Sequence, residues 1–212
     1  MIVNDTLANT TRAAHDVGLA AWLGGVMFGK FAHNPSLSRI TSHTERGGVS
    51  SAAWNGYNLI NTAGLGAAAL GWTAARFSET RPANLTATEQ ALSYAKDGLM
   101  AAAVLSGLAS GVQGSRLAHQ APNGAVAIET GTKPATETPA KAARIQRSLG
   151  VLGNVNILTG AALVAVNAIV APTNHSHPAA KRTSATRSIP LWLGAAATTT
   201  AAVVDTTRRA RR

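Results

Sequence analysis

The chain has 212 residues, no cysteine, a formal net charge of +10, and 46% hydrophobic against 13% charged residues. Soluble domains carry roughly 25% charged residues, so about half the usual solvating charge is missing, and a water-soluble single domain is disfavoured. The abundance of Ala, Leu and Val excludes a disordered basic chain, and the lack of cysteine excludes a disulfide framework or thiolate chemistry.

Charge is absent from Gly47 to Ala75, from Gly98 to Ser115, from Ser148 to Ala180 (apolar as far as Ala171) and from Ser188 to Val204. A bilayer core of about 30 Å takes roughly 20 apolar helical residues. The expected fold is therefore an all-α transmembrane helical bundle, with four spans at about 13–31, 48–75, 97–115 and 148–171 and a shorter fifth at 188–205. The first span has His15 and Asp16 at one end and Lys30 at the other, where long or polar side chains reach the interface. The competing reading is a buried helix of a soluble α-helical protein, since Ala and Gly are less apolar than Leu. Residues 1–12 form a tail with no basic segment preceding an apolar one, so no cleaved signal peptide is expected.

After the second span, Thr86 followed by Glu89 has the spacing of a capping box, which predicts a helix starting near Ala87. Residues 117–138 are rich in Thr, Pro, Gly and Ala without apolar period, and read as a flexible linker. Thr138 and Pro139 then fit an N-cap and first helical position. Lys141, Arg144 and Arg147 follow on one face, placed to meet the anionic headgroups of a lipid bilayer. A polar loop at 172–187 and a basic tail at 206–212 complete the chain. With five spans, the distribution of Lys and Arg puts the N-terminus outside and the tail in the cytoplasm of a multi-pass plasma-membrane protein; without the fifth span the orientation reverses.

Small residues at Ala103, Gly107 and Gly111, with Ser106 and Ser110 beside them, mark the third span as a close-packing seam, central or between copies. Asn55, Asn58 and Asn61 in the second span and Asn154, Asn156 and Asn167 in the fourth suggest amide bonds between these helices, or a polar interior.

No ionisable residue falls near the middle of a span, which disfavours proton pumps and voltage sensors. There is no P-loop, no HExxH and no nucleophile with a matching base, so the chain is not expected to be an enzyme, and no cofactor is expected. His175 and His177, with His15 and Asp16 on the same side, are the one set of candidate metal ligands. Nucleic acid is an unsuitable partner, because stacking aromatics and a concentrated basic patch are missing.

The segments HDVGLAAWLGG (His15 to Gly25), PAKAARIQRSLGVL (Pro139 to Leu152) and NILTGAALVAVNA (Asn156 to Ala168) resemble a family of small actinobacterial integral membrane proteins. The resemblance covers about the first 170 residues. It implies a four-helix core, and neither an activity nor a functional residue. The functional expectation is a structural or accessory membrane protein that binds itself, lipid or a larger complex; the alternative is a carrier or metal-binding membrane protein using the Asn-lined interior or the histidines.

Overall fold

Alanine-rich sequence broken by few prolines favours long helices, and in the computed structural model the chain forms four of them, with residues 2–77, 80, 82, 85–121 and 125–175 described. Helix α1 (Ile2–Phe28) loosens into a π-helical turn at Gly29–His33 and passes through α2 (Asn34–Ser36) and a 3-10 turn at Leu37–Arg39. Helices α3 (His43–Phe77) and α4 (Ala87–Ala118) follow; strands β1 (Ile128–Thr130) and β2 (Lys133–Pro134) then pair antiparallel, and α5 (Ala140–His175) ends the described chain. Helix α4 starts where the capping box predicts. The Glu89 N–H donates to Thr86 Oγ1 at 3.4 Å, and the Thr86 N–H donates to Glu89 Oε2 at 2.8 Å.

The helices associate as two close pairs, α1 with α3 and α4 with α5. The core between them holds Leu19, Trp22, Leu65, Trp72, Met100, Ala103 and Leu163. Backbones come nearest between α1 and α3. A Cβ on Gly18 would collide with Gly64 O and stand 2.8 Å from Ala68 N, and one on Gly71 would lie 2.5 Å from Thr11 O. The seam is therefore built on Gly18, Gly64 and Gly71. In the stripe expected to form it, Ala103 is fully buried and Gly107 sits under Leu65, but a Cβ on Gly111 would meet nothing within 4 Å.

The expected four-span transmembrane bundle is not what the chain forms. Among the described residues one helix, over Ala140–Ile169, is long and apolar enough to cross a membrane. The charge-free blocks misled because uncharged is not the same as apolar: Gly47–Ala75 contains Ser50, Ser51, Asn55, Asn58, Asn61, Thr62 and Thr73. The helices also extend past these blocks and carry charged residues into the packed interior, as α4 does with Glu89 and Lys96. The multi-pass plasma-membrane location, the lipid, self-association and membrane-complex partners, and both membrane functions built on four spans are corrected with it. The architecture is a four-helix bundle with hydrogen bonds between polar side chains of different helices, as from Lys96 of α4 and Asn156 of α5. The proposed fifth span and basic tail lie outside the described residues.

The segment read as a linker carries the β-hairpin, which closes one end of the bundle. Arg46 of α3 holds it, donating from Nε to Ile40 O at 2.6 Å and from Nη1 to Glu129 O at 2.8 Å. Gln146 Nε2 donates to Thr130 O at 3.0 Å, and the Thr138 hydroxyl donates to Ala127 O at 2.7 Å. Ile128 of β1 is buried, as are Val126 and Ala135 on either side of the hairpin.

The two glycine environments predict opposite signs. Gly18→Ala forces the α1 and α3 backbones apart and should cost about 1–3 kcal/mol. Gly111→Ala adds a methyl in open space and gains about 0.5–1 kcal/mol of helix propensity. Urea unfolding of the two variants checks both; equal effects would contradict the assignment of the seam.

Candidate functional site

Away from the hairpin, the four long helices meet around Lys96, which is 2% exposed. A buried ammonium is costly unless its charge is compensated. Here Nζ donates to Asn167 Oδ1 at 2.6 Å and lies 4.0 Å from the Trp72 ring centroid, a cation–π contact worth about 2 kcal/mol when desolvated. Asn167 Nδ2 donates in turn to Asp16 Oδ1 at 2.8 Å, so one amide links α5 to both α4 and α1. On the other side, Trp72 Nε1 donates to Asp97 Oδ1 at 2.8 Å, and Asp97 Oδ2 pairs with Arg76 Nη2 at 3.1 Å.

His15 completes this centre. Its Nδ1 lies 2.6 Å from Ala68 O, and because a carbonyl only accepts, Nδ1 carries the proton. Nε2 is buried with no hydrogen-bond partner. Burial, then the Lys96 charge, pushes the imidazole below its usual range. The centre is filled with its own side chains, and its chemistry is that of a lock joining four helices.

A cleft open to solvent lies at the hairpin end. Its volume is about 640 Å³, between the hairpin and the first turns of α5, and it is lined by Glu129, Lys133, Thr136, Thr138, Arg144 and Arg147 among others. Most of these polar groups are already engaged. Lys133 Nζ pairs with Glu129 Oε1 at 2.7 Å, the Thr136 hydroxyl donates to Glu137 Oε2 at 3.0 Å, and Thr138 is bound to Ala127 O. Arg144 and Arg147 are exposed, and among the described residues neither guanidinium has a partner. Just outside, His43 Nδ1 contacts Glu137 Oε1 at 2.6 Å. That carboxyl is held below its usual range by its own backbone N–H first, then by His43 and Thr136.

The sequence-derived candidates divide among these places. Arg144 and Arg147 line the cleft, whereas Lys141 is exposed outside it. Asn167, half-buried, and Asp16, exposed, form the outer edge of the Lys96 centre. Asn156 is buried and donates from Nδ2 to Ser110 Oγ at 3.1 Å, joining α5 to α4 rather than to α3. Asn55, Asn58 and Asn154 are exposed, and Asn61 is half-buried with Oδ1 unpartnered, so the six amides do not line a common interior. Ser106 donates within its own helix, to Ala102 O at 2.7 Å. His15 and Asp16 are engaged as described, His175 ends α5, His177 lies outside the described residues, and no group of three metal-ligating side chains occurs among the described ones.

Lys96, Trp72, Asp97 and Arg76 were missed, although Lys96 and Asp97 adjoin a charge-free block and Trp72 and Arg76 stand one helical turn apart, spacings that place charges beside an aromatic.

Lys96→Ala leaves Asn167 and Asp16 without their cation and should cost about 3 kcal/mol, a fall in Tm of roughly 6–12 °C for a chain of this size. An unchanged Tm would contradict the account of the centre. The lowered His15 value has a definite sign. The neutral ring is favoured in the fold, so its contribution is complete above the ordinary value of 6.5 and is lost as pH falls from there through the lowered folded value. Stability measured from pH 8 to pH 5 should fall below about pH 6.5, with a shallower fall in His15→Gln; identical slopes would contradict it.

Comparison with protein-family models, with curated proteins and with solved structures finds no match to this chain.

Proposed function

We propose that the chain is a binding protein rather than an enzyme, and that it takes a small anionic ligand, a carboxylate or a phosphate, in the cleft between the hairpin and α5. The observation that carries this reading is the contrast within the cleft. Lys133, Thr136 and Thr138 are tied to the protein's own acceptors, while the guanidinium groups of Arg144 and Arg147 are committed to none. Three cations against one carboxylate, Glu129, leave the lining positive. The field of the α5 N-terminus adds to it, since partial positive charge collects at a helix start. Guanidinium groups bind carboxylates and phosphates through paired N–H bonds. The hairpin is held to α3 and α5 by Arg46 and Gln146, so the wall opposite the arginines is already in place before a ligand arrives.

Titration calorimetry of the purified chain with pyrophosphate and with citrate at low ionic strength tests this. Binding should be saturable, weaken with added salt as the charges are screened, and fall at least tenfold (about 1.4 kcal/mol) in Arg144→Ala and Arg147→Ala, with Tm in the absence of ligand unchanged. No heat with either anion, or binding indifferent to both substitutions, would contradict it.

A further inference from the structure

Resting on that reading, we infer that the cleft selects a phosphoryl dianion over a carboxylate, and that Glu129 is the residue that sets this selectivity. Arg144 and Arg147 are three residues apart on one helix, which puts their Cβ atoms about 5–6 Å from each other and lets both guanidinium groups converge on one anion. A carboxylate has two oxygens, and one guanidinium fork satisfies both. The terminal phosphoryl of a monoester has three oxygens and accepts from two forks at once.

Glu129 enforces the same choice by charge. Its Oε1 holds Lys133 Nζ at 2.7 Å on the rim of the cleft, so the third cation already has a carboxylate. A monocarboxylate ligand matches Glu129 in charge and kind, and has no surplus attraction with which to draw Lys133 away. A phosphoryl group carries close to two negative charges above its second pKa of about 6, and its pull on the ammonium at equal distance is about twice as large. Lys133 and Glu129 are both well exposed, with side chains 63% and 43% accessible, so the pair can part without disturbing the core. Glu129 thus occupies Lys133 until a dianion arrives, and repels weaker anions meanwhile.

The test compares methyl phosphate, a dianion at pH 8, with acetate, a monocarboxylate, by titration calorimetry at low ionic strength, with malonate as a dicarboxylate of matching charge. The expected result is methyl phosphate binding at least tenfold more tightly than acetate, with malonate, whose two carboxylates can each take one fork, between them. Arg144→Lys and Arg147→Lys keep the charge and lose the fork, and should reduce that preference to below threefold with Tm unchanged. Glu129→Gln should strengthen acetate binding at least threefold and narrow the preference for methyl phosphate over acetate. Equal affinity for methyl phosphate and acetate, both lost in Arg144→Ala, would overturn the selectivity while leaving the anion site standing. A preference that is undiminished in Glu129→Gln would overturn the role of Glu129. Binding of neither dianion to protein with an intact helical circular-dichroism spectrum would overturn the site and the selectivity together.

Discussion

A single ammonium inside the bundle sets the terms for the rest of the fold. Lys96 lies where water does not reach, and the cost of an unmatched charge there is several kcal/mol. The compensation comes from three other helices: the face of Trp72 from α3, the amide of Asn167 from α5, and through that amide the carboxylate of Asp16 from α1. Each of these groups is useful only in one register of its helix. Moving α1 or α5 by a turn would carry Asp16 or Asn167 about 5.4 Å away and leave the cation unmatched. Apolar contacts between alanine-rich helices discriminate poorly among registers, because neighbouring turns offer similar small side chains. The polar centre supplies the discrimination that the core chemistry lacks.

The close approach of α1 and α3 serves the same centre. Gly18, Gly64 and Gly71 let the two backbones touch, which brings the His15 ring within reach of Ala68 O and sets it 6.4 Å from the Trp72 ring. Asp97 then holds the Trp72 indole from the opposite side and is itself held by Arg76. At the far end of the bundle the polar chemistry has a different character. Arg46 spends its guanidinium on backbone carbonyls to fasten the hairpin, whereas Arg144 and Arg147 spend theirs on nothing in the described chain. One end is closed on itself and the other presents unpaired donors to a cleft. That asymmetry is the basis for placing ligand binding at the hairpin end and a purely structural role at the other.

The all-α character and the start of α4 were legible because each depends on local sequence: long alanine-rich runs, and Thr86 with Glu89 at capping-box spacing. Membrane spans were not, because the reading relied on missing charge. The serines, threonines and asparagines of Gly47–Ala75 lower its apolarity while placing no charge in it. The basic face of α5 was visible at Arg144 and Arg147, but the wall facing it was not. The hairpin depends on Arg46, which lies 83 residues before its acceptor Glu129, and no periodicity within residues 117–138 announces that bond. The buried centre was hidden for a related reason. Lys96 and Asp97 stand in sequence just before a charge-free block, and only the packing of distant segments shows that Lys96 is inside and that Asp97 holds Trp72. Glycine rows at four-residue spacing are common in such sequence, so the stripe on α4 could not be told from the true seam on α1 and α3 until neighbours were known.

The central claim, that the hairpin-end cleft receives the ligand while the Lys96 centre stays closed, is tested most directly by a nuclear magnetic resonance titration with pyrophosphate. The side-chain Nε–H signals of Arg144 and Arg147 should move progressively and saturate, and the indole N–H of Trp72, bound to Asp97, should stay where it is. Movement of the Trp72 signal with the two arginine signals unchanged would place the ligand at the buried centre and contradict the account.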